Sequence, residues 1–227
     1  MIEYIVEREY AGFILRYVRH TCVYEPADDT YMLANFLIEL WKNGYAPSSI
    51  LELGAGSGFI LSLVQNLWPD AILHATEINP YAVEGLRKLG FNLFHCEFDR
   101  CIPKNRRYDL GISNPPYLPP TPEKVLACEG WLEKAWTATP ERHLEFCISL
   151  ARRAKHILMI TSSLIGGPGN ILQCLQKGGF EGKVVREERF FYETLYLVEG
   201  IPKNSGNSSL NYEGYTSGKD ASSVSRY

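Results

Sequence analysis

The 227-residue sequence has no long unbroken apolar run, no paired-cysteine motif and no large excess of either charge. Its longest uncharged stretch, residues 157–176, is interrupted by Gly166-Gly167-Pro168-Gly169-Asn170. That break reads as strand, loop and helix rather than a membrane span. The chain opens Met1-Ile2-Glu3 with no basic segment ahead of an apolar one, so no secretory leader is expected. Six cysteines stand at 22, 96, 101, 128, 147 and 174, none in a CxxC pair. Free thiols in a reducing cytoplasm are the expectation, and no metal site, since Cys96 and Cys101 lack partners at ligand spacing. Net charge is −3 and the isoelectric point about 6.0, which excludes a protein held on nucleic acid by bulk electrostatics.

What is present suits a folded α/β chain. Apolar residues make up 45% of the sequence and charged residues 22%, enough apolar surface for a substantial core. Residues 2–8 and 12–18 read as a hairpin about Tyr10-Ala11-Gly12. A helix is expected from about Asp29 to Asn43, with Leu33, Phe36, Leu37 and Leu40 at helical spacing and Gly44 past its end. Strands over 50–53, 72–76, 91–95, 108–113 and 156–161 then alternate with helices to Trp68, from Asn79 to about Leu89, from Thr139-Pro140 and over about 170–177. Such alternation predicts a doubly wound, mostly parallel sheet covered on both faces. Residues 184–190 and 194–198 close the pattern as a strand pair with an antiparallel edge strand. Between the fourth strand and the Thr139-Pro140 helix lies a Pro-rich loop bearing Trp131 and Trp136. Residues 203–227 hold seven serines, three glycines and three asparagines and are expected to be a flexible tail. The implied division is a hairpin extension over 1–22, a catalytic domain over 23–202 and the tail.

Four segments carry chemistry. Gly54, Gly56 and Gly58 follow a strand and open a helix, where glycine lets the backbone approach a ligand and the helix N-terminus face it. The spacing is GxGxG, without the lysine of a P-loop. Glu77 ends the next strand, where an acid can accept hydrogen bonds from a ribose diol; with the glycines it marks a nucleoside site. Asp99, after the third strand, is placed to reach an adenine edge. Asn114-Pro115-Pro116-Tyr117 ends the strand expected beside the first, at the topological switch point. The Asn114 side-chain oxygen and the Pro115 carbonyl can receive both N–H bonds of a planar NH2 group, over which Tyr117 can stack. That grip orients nitrogen for in-line attack on an electrophilic methyl.

Together, LELGAGSG, the acid after the second strand and NPPY resemble the class I S-adenosylmethionine-dependent methyltransferases. Val23-Tyr24-Glu25-Pro26-Ala27-Asp28-Asp29-Thr30, Ala135-Trp136 and Glu193-Thr194-Leu195 resemble their HemK-related eukaryotic and archaeal branch, over about residues 20–200. The resemblance implies a Rossmann-like seven-stranded sheet, S-adenosylmethionine as cofactor and methylation of a glutamine side chain in a class 1 translation release factor. It implies that Thr30, Glu52, Gly54, Glu77, Asp99 and Asn114 contact the cofactor or its surroundings and that Tyr24, Glu25 and Pro26 wall its pocket. Asn114, Pro115 and Tyr117 would hold the amide. It also implies a small zinc-binding activator subunit on an apolar edge, unless the hairpin serves that role or docks it. The chain departs from the branch in having Glu77 where aspartate is usual. It also reads Thr137-Ala138-Thr139-Pro140-Glu141-Arg142 where a glycine-rich stretch is usual, beside the substrate.

Two other functions compete. NPPY would equally grip the exocyclic amine of adenine, making an adenine-N6 methyltransferase on DNA or RNA the alternative. That reading wants base-flipping apparatus and a basic track; the cluster Arg100, Lys104, Arg106, Arg107 reads instead as a solvated loop. A nucleoside-binding regulator without catalysis would need no acceptor grip.

Overall fold

The computed structural model describes residues 5–120 and 127–203. The expected tail, residues 204–227, and the start of the first predicted strand therefore lie outside the described residues. Strands β1 (Ile5–Tyr10) and β2 (Phe13–Val18) pair antiparallel with Tyr10 opposite Phe13. Ala11 and Gly12, both at positive φ, make the two-residue turn whose twist suits a hairpin. The hairpin forms its own two-stranded sheet. It lies against the helical layer, where Leu15, Tyr17 and Val18 are buried.

From there the chain alternates as expected: α1 (Asp28–Lys42), β3 (Ser49–Leu53), α2 (Phe59–Leu67), β4 (Ile72–Glu77), α3 (Pro80–Lys88), β5 (Leu93–His95) and β6 (Tyr108–Ser113). A six-residue helix, α4 (Trp131–Trp136), stands within the segment expected to be loop. Then come α5 (Pro140–Arg153), β7 (Ala154–Ser162), α6 (Gly169–Lys177), β8 (Phe180–Arg189) and β9 (Thr194–Pro202). Asn79 caps α3 through Tyr81 N–H at 3.0 Å, and Thr139 caps α5 through Arg142 N–H at 3.3 Å, each followed by proline at the first turn.

The seven strands lie in the order β5-β4-β3-β6-β7-β9-β8. Pairings from β5 through β7 are parallel; β9 runs antiparallel to both β7 and β8. The closing pair is antiparallel as expected, with β8 at the edge. Within that pair β9 is interior, with Leu195, Leu197 and Val198 buried between β7 and β8. One face of the sheet packs Ile50, Leu110, Ile112, Leu158 and Ile160 against α1 and α2; the other packs Leu51, Leu53, Ile157 and Met159 against α5 and α6. Because β3 has β4 on one side and β6 on the other, the loops leaving β3 and β6 open on a common crevice.

The expectation of free thiols is corrected. The six cysteines form three disulfides, Cys22–Cys128, Cys96–Cys101 and Cys147–Cys174. Partners such as Cys22 and Cys128, 106 residues apart, meet only through the fold. Among the described residues no helix is long and apolar enough to cross a membrane, and no cluster of three or more metal-binding side chains occurs.

Candidate active site

A cavity opens at the crevice where β3, β4 and β6 end. Its floor is the turn after β3, with Gly54, Gly56 and Gly58 all at positive φ. Such backbone strains any side chain, and at Gly58 a Cβ would also meet Leu86 Cδ2 at 2.3 Å. At Gly56, which lines the cavity, a Cβ would meet no protein atom within 4 Å. The floor is therefore backbone, open to a ligand, with the N-terminus of α2 behind it.

Glu77 holds that floor in place. One carboxylate oxygen accepts from Gly56 N–H at 2.7 Å and the other from Ile78 and Asn79 N–H, each at 2.7 Å. The glutamate found where aspartate is usual thus reaches across to the glycine turn. Glu52 lies in the same wall, buried, with Oε2 lacking any partner. Burial pushes the Glu52 carboxyl well above its ordinary range, and the neighbouring Glu77 charge adds to this. Burial also raises Glu77, against the opposing pull of its backbone donors. Two buried carboxyl groups at a backbone-floored cavity suit a ligand that brings positive charge and hydroxyl donors, as the sulfonium, ammonium and ribose of S-adenosylmethionine would.

Opposite stands the NPPY segment. Asn114 lines the cavity; its Nδ2 donates to Thr30 Oγ1 at 3.4 Å, while its buried Oδ1 has no partner. The backbone beyond is pinned from several sides. His143, buried on α5, sits 3.0 Å from the Pro116 carbonyl through Nδ1 and 3.0 Å from Thr161 Oγ1 through Nε2. Tyr117 and Leu118 N–H both donate to the Trp136 carbonyl, at 3.2 and 2.9 Å. Helix α4 thereby brings Trp131, Lys134 and Ala135 to the cavity wall, and α5 brings Arg142 and Phe146.

Tyr117 turns into a second, adjoining groove with Tyr24, Asp28, Asp29 and Glu193. Tyr24 and Tyr117 both donate to Asp29, at 3.0 Å each, and burial with the nearby carboxylates pushes both phenols above their usual range. Asp29 is 3% exposed, and sequence reasoning did not single it out.

Of the predicted pocket residues, Tyr24, Thr30, Glu52, Gly54, Gly56, Glu77 and Asn114 line the cavity. Three do not. Glu25 is exposed and paired with Arg19 at 3.0 Å, and neighbouring Pro26 stays outside the lining. Asp99, expected at an adenine edge, lies outside the lining and has partners of its own. Its carboxylate accepts from Arg153 Nε at 2.6 Å and Ser149 Oγ at 3.2 Å. Arg153, buried on α5, would otherwise be an uncompensated charge.

No family profile matches the chain. A protein of Methanocaldococcus jannaschii with the provisional name protein N5-glutamine methyltransferase is 26% identical over 188 residues, 79% of this chain and 91% of its own length. Human methyltransferase HEMK2 is 26% identical over 192 residues, 78% of this chain and 88% of its own. In fold the chain is similar to a chain of the Encephalitozoon cuniculi Mtq2-Trm112 complex, which methylates the termination factor eRF1: TM-score 0.62, 20% identity, 81% of this chain and 100% of that one. In the order of its sheet, in the motifs that end β3, β4 and β6, and in its relatives, the chain resembles the HemK-related class I S-adenosylmethionine-dependent methyltransferases.

Proposed function

We propose that the chain methylates the side-chain nitrogen of a glutamine in a class 1 translation release factor, in the cytoplasm. The observation that carries this reading is the Asn114 amide. Its NH2 is engaged by Thr30 and its buried oxygen lacks a donor, the condition of a group built to receive an N–H.

S-adenosylmethionine supplies an electrophilic methyl group on a sulfonium. Gly54 and Gly56 would let its nucleoside approach the backbone, Glu77 would accept from its ribose, and Glu52 would face its positive charge. Asn114 Oδ1 and the Pro115 carbonyl accept the two hydrogens of the acceptor NH2. An amide nitrogen is a poor nucleophile because its lone pair is delocalised into the carbonyl. The chain must therefore supply positioning, holding that lone pair toward the methyl group and keeping water out. As the nitrogen–carbon bond forms, the methyl–sulfur bond breaks, S-adenosylhomocysteine leaves as a neutral thioether, and the nitrogen gives up one of its two protons, which ends in solvent.

The groove beside Tyr117 supports a protein acceptor over the adenine alternative. Asp28, Asp29 and Glu193 line it, and among the described residues no lysine or arginine does. Phosphates would be repelled there. At the tip of the β8–β9 hairpin, Phe191 is 92% exposed and Tyr192 84%, a surface suited to peptide rather than a charged backbone. Replacing both with alanine should raise KM for the protein substrate several-fold while kcat and cofactor affinity stay the same, as steady-state kinetics would show. The partner in the Mtq2-Trm112 complex supports a small activator, zinc-binding in this proposal. It would take the three-residue edge strand β5, since the β1–β2 hairpin covers α2 and α3 instead.

Two further outcomes follow. Glu77→Ala should weaken S-adenosylmethionine binding by on the order of 1.5–3 kcal/mol, with part of the loss arising from the freed Gly56 turn; calorimetry measures it. Cofactor affinity should also fall on acidification at a pH above the ordinary carboxylate range. Glu52 and Glu77 both titrate high, and a positive ligand favours their ionised forms, so affinity is full above their raised pKa values and is lost as pH falls through them. In Glu52→Gln that acid loss should shrink.

A further inference from the structure

We infer that Asp29 is a positioning residue that sets the polarity of the acceptor site: through Thr30, it forces Asn114 to present its oxygen, and not its NH2, to the reacting nitrogen. The inference rests on the functional reading above and deepens it.

The Asp29 carboxylate receives Thr30 N–H at 2.6 Å, Thr30 Oγ1–H at 3.1 Å, Tyr24 O–H at 3.0 Å and Tyr117 O–H at 3.0 Å. Every partner donates, so the carboxylate acts only as an acceptor. The raised phenols keep both tyrosines protonated and able to donate. Thr30 has a single hydroxyl hydrogen, and Asp29 takes it. Only lone pairs are then left on Thr30 Oγ1, and they face Ala27 N–H and Asn114 Nδ2–H, both at 3.4 Å. An asparagine whose NH2 must meet a lone pair has its orientation decided by that neighbour. Asn114 Oδ1 is consequently left free and buried. The same carboxylate anchors Tyr117, so one group fixes the acceptor atom and the ring at the end of the motif.

Polarity is what such a chain of hydrogen bonds transmits. If the Asp29 end presented a donor, the Thr30 hydroxyl hydrogen would be free to point at Asn114. The amide could then turn over and offer NH2 to NH2. A methyl acceptor of that kind would be repelled rather than held.

Asp29→Asn tests this with almost no change in volume, and Thr30→Val cuts the relay one step later while sparing the other donors to Asp29. Each variant is assayed as the full chain at saturating S-adenosylmethionine, with cofactor affinity and melting temperature measured alongside. In Asp29→Asn, turnover at saturating substrate should drop about 30-fold or more, with cofactor Kd within about threefold of wild type. The double variant should be no slower than the slower single one, because both break one chain. A role in packing alone would lower the melting temperature and leave turnover within about threefold of wild type; that result, or multiplied losses in the double variant, overturns the proposal.

A second readout needs no substrate and also covers an Asp29→Asn protein that fails to fold. The Asn114 side-chain NH2 resonances, assigned by their loss in Asn114→Ala, should exchange with solvent at least tenfold faster in Thr30→Val than in wild type. Equal exchange overturns the relay. A release factor left unmethylated by wild-type enzyme while this exchange difference holds overturns the substrate reading and leaves the relay standing.

Discussion

Asn114→Ala should lower the rate of methyl transfer by about 100-fold or more while S-adenosylmethionine binding stays largely intact. Removing one preorganised polar contact to a reacting group costs on that scale. The structure explains why the loss should fall on the chemical step. Asn114 ends β6 at the cavity wall, its NH2 committed to Thr30 and its oxygen without a partner. Truncation removes the acceptor for one N–H of the substrate and leaves the nitrogen free to rotate out of line. Asn114→Asp should fail as well, since an ionised carboxylate would face the Thr30 hydroxyl oxygen in place of an NH2 donor and its desolvation in a closed site is costly. Quench kinetics with labelled cofactor separates the two effects. Loss of cofactor binding equal to the loss of rate would mean that Asn114 serves the cofactor and not the acceptor.

The other large effect is expected at Gly56. Gly56→Val should abolish measurable cofactor binding in a protein that still folds. The residue sits at φ +53°, a conformation that a β-branched side chain tolerates poorly. Yet no protein atom lies within 4 Å of where its Cβ would stand. The new side chain therefore has room, and that room is at the floor of the cavity. Strain would lower the melting temperature modestly, by an amount on the order of 1–2 kcal/mol in stability, and would shift the turn that Glu77 clasps at 2.7 Å. Unchanged affinity in a folded Gly56→Val protein would remove the pocket assignment altogether. Gly58→Val is a useful contrast: its Cβ meets Leu86 at 2.3 Å, so it should damage the fold first.

Those two motifs were legible in the sequence because each demands particular residue types. A turn with three left-handed positions calls for glycine, and a carbonyl grip without competing N–H groups calls for paired prolines. The alternating strands and helices were legible for a similar reason, since period and capping residues mark them locally. What escaped depends on distant partners. Asp99 accepts a hydrogen bond from Arg153, buried 54 residues later. Nothing near residue 99 announces that arginine. Asp28 and Asp29 are adjacent and chemically identical in the sequence; only the pitch of α1 turns Asp29 inward to two tyrosines from different segments. Helix α4 has six residues, too few to show a period, and begins at a left-handed Gly130. The cysteine pairs likewise require the fold to bring them together.

The measurement that tests the central claim most directly is peptide mass spectrometry of a recombinant class 1 release factor. The factor is incubated with the enzyme, S-adenosylmethionine and, in a parallel reaction, an activator subunit; an adenine-containing oligonucleotide runs beside it. The account predicts one added methyl group on a single glutamine of the release factor, absent with Asn114→Ala, and no methyl on the oligonucleotide. An unmodified release factor beside a methylated adenine would contradict it.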